Sequence, residues 1–104
     1  MRPLVASANC ILHAGATPVF VDCEPKSLNI HPKNVEDAIS PRTRAIIAVD
    51  VFGNPAHMPE LETLAHKYEI PLIEDCCEAL GSRAGGRPAG SFGRVGVFSF
   101  YPNK

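Results

Sequence analysis

Three residues late in the sequence carry side chains that do chemistry together: Asp75, Ser99 and Lys104. A carboxylate at a strand end can hold a protonated heteroaromatic nitrogen. A hydroxyl near the end of the next strand can bind a phosphate. A lysine in a desolvated pocket has a lowered pKa and can form a Schiff base with an aldehyde. Each residue also has a plainer reading. Asp75 can cap a turn, Ser99 can be a satisfied core hydroxyl and Lys104 can be a solvated cation. Spacing alone leaves both readings open.

Those groups act together only if the chain places them together. Four short apolar runs are expected to be strands: residues 18–22 (PVFVD), 45–51 (AIIAVDV), 71–75 (PLIED) and 95–100 (VGVFSF). They are nearly continuous rather than alternating, which suits strands of a parallel sheet covered on both faces. Helical patterns lie between them. Residues 7–13 are apolar and Ala-containing, with Gly15 as the expected C-cap. Residues 32–39 place Val35, Ala38 and Ile39 on one face. Residues 58–68 place Leu61, Leu64, Ala65 and Tyr68 on one stripe, with Pro59 in the first turn. The order α-β-α-β-α-β-loop-β predicts an α/β fold, a three-layer αβα sandwich with a mostly parallel sheet. Asp22, Asp50 and Asp75 then fall at or near the C-terminal ends of strands, where open α/β sheets bind ligands. Asp22, followed by Glu24-Pro25, reads as a turn residue.

Six of the eight glycines fall between 81 and 96, which predicts tight turns and close backbone approach in that loop. Their spacing is neither a dinucleotide fingerprint nor a P-loop. Arg83 and Arg87, flanking Gly85-Gly86, read as solvated loop charges or as contacts to an anionic substrate. The 104 residues allow one domain. A net charge of −1 without a basic patch excludes a nucleic-acid-binding reading. The longest apolar runs are about half a membrane span or less, so no membrane helix is expected. The opening MRPLVASANCILHAG mimics a leader, but Ser7 and Asn9 break its apolar run, and no export is expected. Cys10, Cys23, Cys76 and Cys77 have no CxxC or zinc spacing, and His13, His31, His57 and His66 have no ligand spacing. Buried thiols in a reducing cytoplasm are the expected state.

Pyridoxal 5'-phosphate asks for the set the three residues offer: a lysine for its aldehyde, an acid for its ring nitrogen and donors for its phosphate. The pattern IEDCCEALGS…GSFG…GVFSFYPNK, with ASANCILHAGATPVFVD upstream, resembles the DegT/DnrJ/EryC1/StrS family of sugar aminotransferases, enzymes of the type I pyridoxal phosphate fold. The resemblance covers nearly the whole chain. It implies that Lys104 carries the cofactor covalently and that Asp75 pairs with its ring nitrogen. Ser99 then contacts the phosphate, and Glu78, where the family often has Gln, lies beside the cofactor. Leu4 stands where the family usually has an aromatic residue against the ring. A sister group of dehydratases carries His in place of the lysine, so Lys104 points to transamination.

The resemblance implies further that residues 1–104 form an incomplete large domain, without an N-terminal segment and a C-terminal small domain. Strands 18–22 and 45–51 are expected to lack the strand that lies between them in the family, leaving unpaired edges. The isolated polypeptide is expected to be marginally stable and inactive. The intact protein is expected to be a cytoplasmic homodimer. It would move an amino group, with glutamate as donor, to a nucleotide-linked keto sugar in amino-sugar or polysaccharide biosynthesis. The competing reading is a catalytically inactive truncated, regulatory or interaction derivative of such an enzyme.

Overall fold

The computed structural model describes residues 3–102. Helix α1 spans Pro3–His13. Gly15 ends it in a left-handed conformation (φ 76°), with Ala16 N–H donating to the Ile11 carbonyl and Gly15 N–H to that of Leu12. Those are the two bonds of a Schellman cap. Helix α2 is Pro32–Ala38, capped by His31, whose Nδ1 accepts the Lys33 N–H. Helix α3 is Met58–Lys67. Its predicted stripe is real for Leu61, Leu64 and Ala65, which are buried. Tyr68 has already left the helix as its C-cap and is 40% exposed; its hydroxyl donates to Glu36 Oε1 at 2.8 Å.

The strands are β1 (Ile46–Val49), β2 (Leu72–Asp75), the pair β3 (Arg83–Ala84) and β4 (Arg87–Pro88), and β5 (Val95–Val97). The main sheet runs β1-β2-β5, all parallel, with Val49 opposite Asp75 and Asp75 opposite Val97. Ile46, Ala48 and Leu72 turn one face into a core with Val35, Met58, Leu61 and Phe92, under α2 and α3. Ile47, Val49, Ile73 and Asp75 face the other way and are half-buried on the side where α1 packs. The result is the expected αβα layering. The second face is covered less completely than the continuous apolar runs suggest, because α1 contacts β1 but does not roof the sheet.

Residues 18–22 are not a strand. Val19 and Phe20 are 70% and 77% exposed, and this stretch joins no sheet among the described residues. A strand exists only with a ladder partner, and among the described residues this stretch has none. The last strand is also shorter than residues 95–100, because Phe98 turns away to pack on Cys76, Ala79 and Ala89.

The glycine-rich loop is partly regular. Gly85 and Gly86, both at positive φ (54° and 81°), form the two-residue turn of the β3–β4 hairpin. Gly96 sits on β5 against Gly90, where an added Cβ would lie 2.6 Å from the Gly90 oxygen and 2.8 Å from its Cα. Backbone cannot move aside as a side chain can. Gly96→Ala in the intact protein is therefore expected to cost about 1–3 kcal/mol of stability, measured by chemical denaturation. An unchanged midpoint would show that this approach is not tight.

Candidate active site

Asp75 ends β2, and the parallel neighbour β5 runs out in the same direction, so Asp75 and Ser99 emerge at the same end of the sheet. The Cys76 N–H donates to the Val97 carbonyl at 2.8 Å and continues the pairing past the strand ends. Asp75 is half-buried. Its Oδ2 accepts the Ser7 hydroxyl from α1 at 2.7 Å, and its Oδ1 accepts the Cys77 N–H at 3.2 Å. Both donors are neutral, and among the described residues no cation forms an ion pair with Asp75. This is a carboxylate oriented from behind and still able to meet a cationic ring nitrogen.

Ser99 is half-buried, and its Oγ accepts the Tyr101 N–H at 3.4 Å. That bond uses the oxygen's lone pair and leaves the hydroxyl proton to donate elsewhere. Glu78, three residues past Asp75, reaches back to the single-turn 3-10 helix Val51–Gly53, where its Oε2 accepts the Phe52 N–H at 3.3 Å. Phe52 is a non-glycine residue at φ 53° and is 68% exposed, so this turn holds a strained, open aromatic beside Glu78. Lys104 and the side chain of Leu4 lie outside the described residues. Asp75 and Ser99 are thus brought to one edge of the sheet, with Glu78 just beyond it.

The arginines have other work. Arg87 Nη1 donates to Glu62 Oε2 at 2.7 Å, and its guanidinium lies 4.2 Å from the Phe92 ring centroid. Arg83 donates to the Gly86 carbonyl at 2.8 Å. Both staple the hairpin. The histidines are less scattered than their spacing suggests. Glu24, His31 and His57 bring donor atoms within 4.8 Å of one another from three separate segments. They already satisfy each other: His57 Nε2 meets Glu24 Oε2 at 3.4 Å, Ser27 Oγ donates to Glu24, and His31 Nδ1 caps α2. None of the four cysteines forms a disulfide among the described residues.

Two features of the site escaped the sequence. Ser7 lies 68 residues from Asp75, and although it falls in the ASANC motif, nothing in that motif points to the contact. Asp50 and Glu74 are buried together on the opposite face of the sheet from Asp75. Glu74 gave a signal that was there to find, a carboxylate in the middle of the apolar run PLIEDC.

A mostly parallel sheet with helices on both faces, carrying Asp75 and Ser99 at adjacent strand ends, is the fold of solved aminotransferases. Residues 3–104 match the model of the DegT/DnrJ/EryC1/StrS aminotransferase family, and the chain belongs to that family. It is 46% identical over 100 residues to a UDP-N-acetyl-3-dehydro-alpha-D-glucosamine 3-aminotransferase from Acidithiobacillus ferrooxidans, covering 96% of this chain and 27% of that relative. It is 43% identical over 100 residues to an L-glutamine:2-deoxy-scyllo-inosose aminotransferase from Micromonospora echinospora, covering 96% of this chain and 24% of the relative. The crystal structure of an aminotransferase from Psychrobacter cryohalolentis superposes with a TM-score of 0.93 at 36% identity, over 96% of this chain and 25% of the other. The chain thus spans about a quarter of the length of the relatives it matches. Among the described residues no helix is long and apolar enough to cross a membrane.

Proposed function

We propose that the protein carrying this chain transfers an amino group to a nucleotide-linked keto sugar, with glutamate as donor and pyridoxal 5'-phosphate as cofactor. It would work as a cytoplasmic homodimer in amino-sugar or polysaccharide biosynthesis. The observation that carries this reading is Asp75. Its carboxylate is held by two neutral donors at the end of β2, beside β5, after which the sequence continues through Ser99 to Lys104. The sugar substrate rests on the relative that acts on a UDP-linked dehydro sugar.

The cofactor, when bound, supplies an electron sink for the carbanion left at the donor's α-carbon. The residues of the chain do the rest. Asp75 keeps a proton on the ring nitrogen, and its negative charge makes that protonation favourable. Ser99 donates its hydroxyl to the phosphate. Lys104 Nζ holds the cofactor covalently at rest. Its amine, when free, would serve as the general base and acid that moves the donor's α-proton. Glu78, anchored on the Phe52 N–H, lines the same edge.

The test uses the intact protein loaded with pyridoxal 5'-phosphate, reduced with borohydride, digested and mapped. The label is expected on Lys104. A label on another lysine, or none, overturns the assignment. Separate assays with glutamate and glutamine, each with a UDP-linked keto sugar, identify the donor; turnover with glutamine alone would replace glutamate in the proposal.

A further inference from the structure

Two carboxyl groups lie deep in the core on the helix-covered face of the sheet. Asp50 is 1% exposed and Glu74 0%. The register brings them together: Ala48 pairs with Glu74, and Asp50, two residues on, projects from the same face. Cys76 follows Glu74 by the same period. One donor atom from each of the three lies within 4.8 Å of the others. Each carboxyl has one oxygen committed, Asp50 Oδ1 to the Ala56 N–H at 2.9 Å and Glu74 Oε2 to the Phe92 N–H at 3.2 Å. The remaining oxygens, Asp50 Oδ2 and Glu74 Oε1, are buried and receive no hydrogen bond from the described residues.

Two ionised carboxylates in this position would repel each other and lose their hydration, a combination that cores do not carry uncompensated. Either a proton or a cation can relieve it. The surroundings favour the proton. Burial, followed by the charges of Glu74 and Asp50, pushes the Cys76 thiol up, so it stays S–H and is a poor ligand. Two carboxylate oxygens alone fall short of a zinc or calcium shell. Arg87 feels the charge of Glu74, but it is stacked on Phe92 and paired with Glu62. From α3 the core receives Met58 and Leu61, which bring no charge.

We propose that Asp50 and Glu74 share one proton, forming a carboxyl–carboxylate bond that ties the end of β1 to β2 beneath the active-site edge. Through Ala56 and Phe92 the same bond fixes the segment that follows β1 and the segment that leads into β5. The protein is then more stable in mildly acidic than in alkaline solution. Burial raises the Asp50 carboxyl to about 6; the Ala56 N–H opposes this and the Glu74 charge reinforces it. Asp50 therefore binds its proton more tightly folded than unfolded. The stabilisation is complete below about pH 4 and is lost as pH rises through about 6. A rise from 3.8 to about 6 corresponds to about a hundredfold in the folding equilibrium constant.

The experiment measures denaturant unfolding of the intact protein, with and without a chelator, from pH 4.5 to 8. Asp50→Asn keeps the acceptor for Ala56 and gives Glu74 Oε1 an amide donor. Glu74→Gln does the converse. Both variants are expected to fold, to lose the downward slope of stability with pH, and to be more stable than the parent at pH 8. Asp50→Ala, which leaves Glu74 unmatched, is expected to be less stable than either. The proposal is overturned if the amide variants keep the parent's slope, if both are less stable than the parent at pH 8 or fail to fold, or if a chelator destabilises the parent alone. The last result would assign the site to a cation. None of these readouts depends on the cofactor.

Discussion

Lys104→Ala is expected to lower transamination turnover by on the order of 10³-fold or more, and to abolish borohydride labelling. In the proposed function the amine does two things: it holds the cofactor at rest and moves the proton during the reaction. Lys104→Arg separates charge from chemistry. A guanidinium keeps the positive charge but does not give up its proton near neutral pH, so it neither condenses with an aldehyde nor acts as a base. Arginine is therefore expected to be as inactive as alanine. Turnover in the arginine variant above a few per cent of the parent would mean that Lys104 contributes charge alone, and that another residue carries the cofactor.

Asp75→Asn is the second large effect. The amide keeps an oxygen for the Cys77 N–H, and the Ser7 hydroxyl can rotate to accept from the new NH2 group. The fold is therefore expected to survive, with stability within about 0.5 kcal/mol of the parent. What disappears is the negative charge that, in the proposed function, keeps the ring nitrogen protonated. Turnover is expected to fall by on the order of 10²–10³-fold while the cofactor is still covalently bound. Steady-state kinetics combined with the borohydride map separate these outcomes. Full activity in the variant would remove Asp75 from the ring nitrogen.

Much of the architecture could be read from local pattern, because the information was local. Leu61, Leu64 and Ala65 share a helical face whatever surrounds them, and PLIED makes a strand because its Leu72 enters a core. The site's frame was legible for the same reason. A strand-end Asp and a serine just past the neighbouring strand need only a parallel pairing to reach the same end of the sheet. What failed was what depended on partners far along the chain. Residues 18–22 have strand composition but no ladder. Tyr68 fits the α3 stripe, yet Glu36, 32 residues away, takes its hydroxyl. The contact of Ser7 with Asp75 and the meeting of Asp50 with Glu74 exist only once the sheet register is set. Periodicity within one segment cannot report a hydrogen bond between two.

Strand β2 alternates buried and half-buried residues, with Leu72 and Glu74 on one face and Ile73 and Asp75 on the other. Neighbouring acids therefore serve opposite sides of the same sheet. A single-residue deletion or duplication that slips this strand by one place against β1 and β5 would exchange their duties, sending Asp75 into the core and Glu74 toward the ligand edge. Length changes in the turn before it, between Lys67 and Leu72, are harmless only if the turn absorbs them or the strand moves in steps of two. Lineages that vary this turn should therefore show a parity rule, a pattern that can be sought by counting residues alone.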